Sequence, residues 1–98
     1  MYKTINVEEL LKLNNPLIID VREPYEFELG GLPKAINIPV DILLDDCERY
    51  LKTDKQYYIY CETSLRSSRV CEFLSDLGYD VYLIEGGYKA WLALNNIS

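Results

Sequence analysis

The chemistry open to this chain rests on cysteine and arginine. It holds three cysteines, Cys47, Cys61 and Cys71, and no histidine. Without imidazole there is no Ser-His-Asp triad, no Cys-His pair and no mixed Cys/His zinc site. A reactive thiolate would have to be held by backbone N–H groups or by arginine. Cys61 has the position for that. It follows the apolar, aromatic run Tyr57-Tyr58-Ile59-Tyr60 and precedes the polar segment Glu62-Thr63-Ser64, after which an amphipathic pattern begins. A cysteine between a strand and a helix N-terminus lies among unpaired N–H groups at the positive end of the helix dipole. Arg66 and Arg69 add positive charge one helical turn apart. The competing reading is a buried structural cysteine. The polar loop favours the reactive one.

The other two cysteines fit that role poorly. Cys71 falls within the helical pattern beside Val70 and is expected to pack. Cys47 stands among Asp45, Asp46 and Glu48, whose charge opposes a thiolate. Asp20 and Arg22 close another apolar run, Leu17-Ile18-Ile19, and are expected to order loops through hydrogen bonds and ion pairing.

The elements that must position these residues alternate between strand and helix. Asn6 and Glu9 form a capping-box pattern for a helix from Val7 to about Leu13, stopped by Asn14-Asn15-Pro16. Leu17-Ile18-Ile19 is a buried strand. Pro24 opens a short helix to about Leu29, ended by Gly30-Gly31. Ile36-Asn37-Ile38 is a brief strand, and Asp41 is a cap for a helix reaching Tyr50-Leu51. Tyr57 to Tyr60 is the next strand. Val70, Phe73, Leu74 and Leu77 mark one face of a helix over 66–77, with Gly78 at its end. Val81 to Ile84 is a strand, Glu85-Gly86-Gly87 a turn, and Tyr88 to about Leu94 a last helix with Trp91 and Leu92 inward. This order predicts an α/β fold with a mainly parallel sheet and helices on both faces. Ligands bind such sheets at the carboxyl ends of the strands, where Asp20-Val21-Arg22 and Cys61 to Arg66 both fall.

Composition narrows the function classes. The 98 residues suit one compact domain, and an apolar content of 49% suits an ordinary core. A net charge of -6, with no two basic residues adjacent, argues against nucleic acid and anionic membranes as partners. Met1-Tyr2-Lys3-Thr4 lacks the apolar core of a signal peptide, and an odd cysteine count speaks against a disulfide framework. A cytoplasmic protein, monomeric or weakly dimeric, is the expectation. Packing accounts for most of the nine tyrosines.

Three blocks, spanning most of the chain, resemble the rhodanese-like domains, which are persulfide-forming sulfurtransferases. The first is Asp20-Val21-Arg22-Glu23-Pro24-Tyr25-Glu26-Phe27, followed by Gly30-Gly31-Leu32-Pro33-Lys34-Ala35-Ile36-Asn37-Ile38-Pro39. The second is Tyr57 to Arg66, with Cys61 first in a six-residue loop. The third is Leu83-Ile84-Glu85-Gly86-Gly87-Tyr88-Lys89-Ala90-Trp91. The resemblance implies a single rhodanese-like domain over residues 1–98 with a five-stranded sheet. It implies that Cys61 takes sulfur from a small anionic donor such as thiosulfate, or from a protein or small-molecule persulfide. The sulfur then passes to a thiol or to cyanide through a covalent intermediate. Backbone N–H groups of Glu62, Thr63, Ser64, Leu65, Arg66 and Ser67 would hold the anionic sulfur, with Asp20, Arg22 and Glu26 supporting the loop. Arg66 would brace against a carboxylate such as Glu26. No metal and no organic cofactor is implied.

The sequence departs from the family pattern at several points. Ser64 stands where glycine is common. If that position needs left-handed backbone, Ser64 carries strain of about 1 kcal/mol or the loop adopts a different shape. Gly31 replaces a common histidine, and Lys34 a glycine. Glu62 beside the nucleophile would oppose anionic donors unless it turns to solvent, which is its expected placement. Two alternatives follow. Ser64 suits a non-catalytic binding or regulatory module. A small phosphatase or arsenate reductase would resemble branches whose loop is one residue longer.

Overall fold

The computed structural model describes residues 1–95. The elements run β1 (Lys3–Ile5), α1 (Val7–Leu10), β2 (Leu17–Asp20), α2 (Pro24–Glu28), β3 (Ile36–Asn37), α3 (Val40–Asp45), α4 (Cys47–Tyr50), β4 (Gln56–Tyr60), α5 (Leu65–Asp76), β5 (Asp80–Ile84) and α6 (Gly87–Leu94). The five strands form one parallel sheet in the order β1-β5-β4-β2-β3. The chain steps from β2 to β3 in one direction, then crosses back to lay β4 on the other side of β2. The switch point therefore lies between β2 and β4, where an open α/β sheet leaves a crevice beyond its carboxyl ends. Asp20 pairs in register with Tyr60 there, so Cys61 emerges directly beside the Asp20–Arg22 turn.

Strand alternation splits the core into two faces. Tyr57, Ile59 and Cys61 join Leu43, Val70, Cys71 and Leu74 on the side of α3, α4 and α5. Tyr58 and Tyr60 join Val7 and Leu10 on the side of α1, with Tyr88 and Trp91 of α6 packed against them. Cys61 thus continues the inward pattern of β4 and points beneath the first turn of α5.

Most boundaries follow local chemistry. The Asn6 side chain accepts from Glu9 N at 2.8 Å and Glu9 Oε1 accepts from Asn6 N at 3.2 Å, which closes the capping box of α1. At the far end of α5, Gly78 has φ +97, with Tyr79 N donating to Leu74 O at 3.1 Å and Gly78 N to Ser75 O at 3.0 Å. This is a Schellman closure, which glycine fits because it lacks a Cβ.

Several expectations need correction. The helix predicted to Leu13 ends at Leu10 and continues as turns. The predicted helix from Asp41 to Leu51 is two short helices broken at Asp46, whose φ and ψ are -148 and 64. Asp41 lies in the first turn of α3 rather than capping it, because Pro39 occupies the cap. Trp91 and Leu92 are half-buried rather than core. β1, three residues at the sheet edge, was not anticipated. Lys34 has φ +66, a left-handed backbone that costs a non-glycine residue about 1 kcal/mol. Among the described residues no helix is long and apolar enough to cross a membrane.

Candidate active site

Cys61 is 1% exposed and its Sγ faces the first turn of α5. Ser67 N donates to Sγ at 3.3 Å, and the Ser67 hydroxyl lies 3.2 Å from the same sulfur. Ser67 is itself fully buried. When Cys61 is a thiolate, only the hydroxyl can supply the proton of that second bond. The N–H groups of Glu62, Thr63, Ser64 and Arg66 have no protein acceptor among the described residues. A loop at a helix N-terminus with free N–H groups favours an anion.

The start of α6 determines how those N–H groups are presented. Tyr88 N donates to Cys61 O at 2.9 Å, and Lys89 N to Glu62 O at 3.0 Å. Each loop carbonyl is thereby drawn toward α6. The carbonyl and the following N–H point in opposite directions across a planar trans peptide. The N–H groups of Glu62 and Thr63 are consequently turned away from α6. Close approach is required for this. A Cβ on Gly87 would collide with the carbonyl oxygens of Cys61 and Thr63, and Gly87 has φ +57. Gly86-Gly87 is therefore more than a plain turn, since glycine at 87 lets one helix end cap the loop of another.

Ser64 does not carry the strain expected of it. Its φ and ψ are -135 and 0, outside the left-handed region. Its hydroxyl accepts from Gly86 N at 2.9 Å and ties the nucleophile loop to the turn before α6. A glycine here could not make that bond.

Two guanidiniums brace the loop. Arg22 is 1% exposed. Its Nε reaches both carboxylate oxygens of Asp20, at 3.1 and 3.0 Å, and its Nη2 reaches Asp20 Oδ2 at 2.7 Å. Nη2 also donates to Gly30 O at 2.6 Å, and Nη1 to Glu62 Oε1 at 3.2 Å. The guanidinium carbon lies 4.4 Å from the centre of the Tyr88 ring. Asn37 Nδ2 donates to the carbonyls of Asp20 and Arg22 at 3.0 and 2.9 Å, clamping the turn between them. Glu62, expected to face solvent, is instead held by Arg22 with its side chain 35% exposed.

Arg66 forms a two-pronged pair with Glu26, Nη1 to Oε1 at 2.8 Å and Nη2 to Oε2 at 3.0 Å. The same Oε1 accepts from Glu23 N at 2.9 Å, so one carboxylate joins the loop to the cap of α2. The Arg66 hydrogen bonds hold the Glu26 carboxyl down at about 2 against the opposing effect of burial.

Of the residues the sequence singled out, Cys61 to Ser67 form the loop, with Asp20, Arg22 and Glu26 directly behind it. Thr63 is exposed, its hydroxyl 3.4 Å from Leu65 N, and Leu65 is 67% exposed at the rim. Sequence reasoning missed Asn37 and Tyr88, because their roles depend on contacts across the sheet. Cys71 is fully buried, and burial pushes its thiol up to about 12. Cys47 is also buried, its Sγ 3.8 Å from Leu44 O. No cluster of His, Cys, Asp and Glu able to hold a metal ion occurs among the described residues.

Comparison with known proteins agrees with this fold. Residues 5–94 match the model of the rhodanese-like domain. An uncharacterized protein of Bacillus subtilis, YqhL, is 40% identical across 91% of this chain and 71% of its own length. A protein named sulfurtransferase from Allochromatium vinosum is 31% identical over 86% of this chain and 78% of its own. The crystal structure of a rhodanese-related protein from Thermoplasma volcanium superposes with a TM-score of 0.88. It is 35% identical and covers 95% of this chain and 93% of its own.

Proposed function

Starting from the fact that this chain belongs to the rhodanese-like domain family, which includes sulfurtransferases, we propose that it carries sulfane sulfur as a persulfide on Cys61. The observation that carries this reading is the seat of Sγ against Ser67 N and the Ser67 hydroxyl, in a loop where the N–H groups of Glu62, Thr63, Ser64 and Arg66 have no acceptor among the described residues. The Cys61 thiolate attacks the outer sulfur of thiosulfate. The S–S bond of the donor breaks, sulfite leaves with the bonding electrons, and a Cys61 persulfide remains. A persulfide donor reacts in the same way and releases its thiolate. An acceptor thiolate, or cyanide, then attacks the outer sulfur and returns Cys61 to its thiolate. The terminal sulfur carries negative charge in the resting persulfide, and the loop N–H groups are suited to stabilise it. Ser67 is the side chain placed to keep the inner sulfur in position throughout.

The test is the intact mass of the chain after incubation with thiosulfate and with small-molecule persulfides. A one-sulfur adduct is expected on the wild type and on Cys71→Ser, and none on Cys61→Ser. No adduct from any donor would overturn the reading.

One observation favours a second reading, a non-catalytic module of the same fold. Cys61 is only 1% exposed, which also suits a packing role. A Cys61 that resists alkylation at neutral pH in the folded chain would support it.

A further inference from the structure

The charge around the loop bears on which donor the site accepts, and this inference rests on the sulfurtransferase reading above. Both guanidiniums at the loop are already committed. Arg22 is neutralised by Asp20 and also bound to Glu62, and Arg66 is held two-pronged by Glu26. Two cations therefore face three carboxylates, and the one that carries the excess is Glu62, directly after the nucleophile. Arg69 is exposed and lines a groove with Arg66, Glu23 and Asp41, where solvent screens it. Lys89 is exposed to solvent, which screens it. The whole chain carries a net charge of -6.

Donors differ in the charge they bring to this rim. Thiosulfate is a dianion, so its attack by a thiolate gathers three negative charges in the transition state. Attack on a hydropersulfide, R–S–SH, gathers one. The products balance in both cases. Thiosulfate gives the persulfide anion and sulfite, and R–S–SH gives the protonated persulfide of Cys61 and R–S⁻. The loop N–H groups can hold the transferred sulfur in either case. The sulfonate of thiosulfate must remain outside them, beside a loop whose two guanidiniums, Arg22 and Arg66, are already paired and whose charge balance Glu62 makes negative.

We propose that the site is built for a hydropersulfide whose carrier bears no net negative charge beside the sulfur, and that Glu62 discriminates against thiosulfate. Glu62 acts in two ways. Its own charge repels the sulfonate, and its pairing with Arg22 leaves that guanidinium with two carboxylates and no net positive charge to offer.

The test measures the rate of adduct formation by intact mass on the full chain with three donors: thiosulfate, cysteine persulfide, and a persulfidated cysteine within an uncharged peptide. Both persulfides are expected to load Cys61 faster than thiosulfate. On the unaltered chain, added salt is expected to speed loading from thiosulfate by screening like charges. Glu62→Gln removes one negative charge, while its amide oxygen can still accept from Arg22 Nη1. It is expected to raise the thiosulfate-to-persulfide rate ratio on the order of tenfold. Glu8→Gln, an exposed change on α1, leaves that ratio where it was. A faster peptide than free cysteine persulfide points to a protein-borne donor, and the reverse order to a small thiol; either order supports the proposal. Thiosulfate loading fastest, or a ratio unmoved by Glu62→Gln, would overturn this proposal while leaving the sulfurtransferase reading intact. Loading from no donor would remove both.

Discussion

Gly87→Ala tests how the loop is held. The substitution costs about 1–2 kcal/mol for placing alanine in left-handed backbone, since φ at this position is +57. The unfolded chain returns part of that, about 0.4–1 kcal/mol, because alanine has less freedom to lose. The larger effect is steric. The new Cβ collides with the carbonyl oxygens of Cys61 and Thr63, which belong to backbone and cannot swing aside as a side chain could. Relief requires α6 to withdraw from the loop. That lengthens the bonds from Tyr88 N to Cys61 O and from Lys89 N to Glu62 O, now 2.9 and 3.0 Å. At about 1 kcal/mol each, their loss brings the total to about 3 kcal/mol. Urea unfolding reads the stability, and adduct formation on Cys61 reads the loop.

Gly78→Ala provides the control. It also has positive φ, +97, but its Cβ meets nothing within 4 Å and it lies past the end of α5 far from the nucleophile loop. Both variants lose stability, while Gly87→Ala alone loses at least tenfold in loading rate at a temperature where both are folded, equivalent to about 1.4 kcal/mol of transition-state stabilisation. Equal loading rates in the two folded variants would refute the claim that α6 sets the loop's shape.

Two further outcomes follow from the site. Ser67→Ala keeps the N–H bond to Sγ and removes the hydroxyl 3.2 Å away, so loading on Cys61 should slow about 10- to 100-fold, the worth of a hydrogen bond to a charged group; rapid-quench mass measurements on the folded variant check this. Glu26→Gln should lower stability at neutral pH by about 1–2 kcal/mol, allowing for the partial exposure of Arg66. The Glu26 carboxyl is held at about 2 in the folded chain, so the stability it contributes is present above its unfolded value and lost as pH falls toward about 2. Denaturant titrations should therefore show wild type and variant converging below pH about 4.5, the upper limit set by the unfolded carboxyl.

The strand-loop-helix around Cys61 could be read from sequence because its signals are local. Tyr57 to Tyr60 are β-formers, Val70 to Leu77 have a helical period, and Gly78 marks an end that a Schellman closure uses. β1 gave no such signal. Three residues at a sheet edge are too few to show alternation, and their pairing with β5 bridges nearly the full chain. The break at Asp46 was equally hidden, because Ile42, Leu43, Leu44 and Leu51 satisfy one helical stripe as well as two short helices.

The site's electrostatics were the least accessible part, and the reason is distance along the chain. Arg22 with Glu62 and Arg66 with Glu26 are each separated by 40 positions, so no spacing rule links them. Sequence alone left Glu62 as a surface acid beside a nucleophile, and left Ser64 as a strained replacement for glycine. Folding changes both. Glu62 becomes a second carboxylate on a buried arginine that Asp20 already neutralises, and Ser64 becomes a hydrogen-bond acceptor for the turn that carries Gly87. The two residues therefore act on different properties. Ser64 fastens the loop in the shape that presents its N–H groups, whereas Glu62 sets the charge that an arriving donor must meet. A chain that kept Ser64 and lost Glu62 should hold the same cradle and open it to anionic donors.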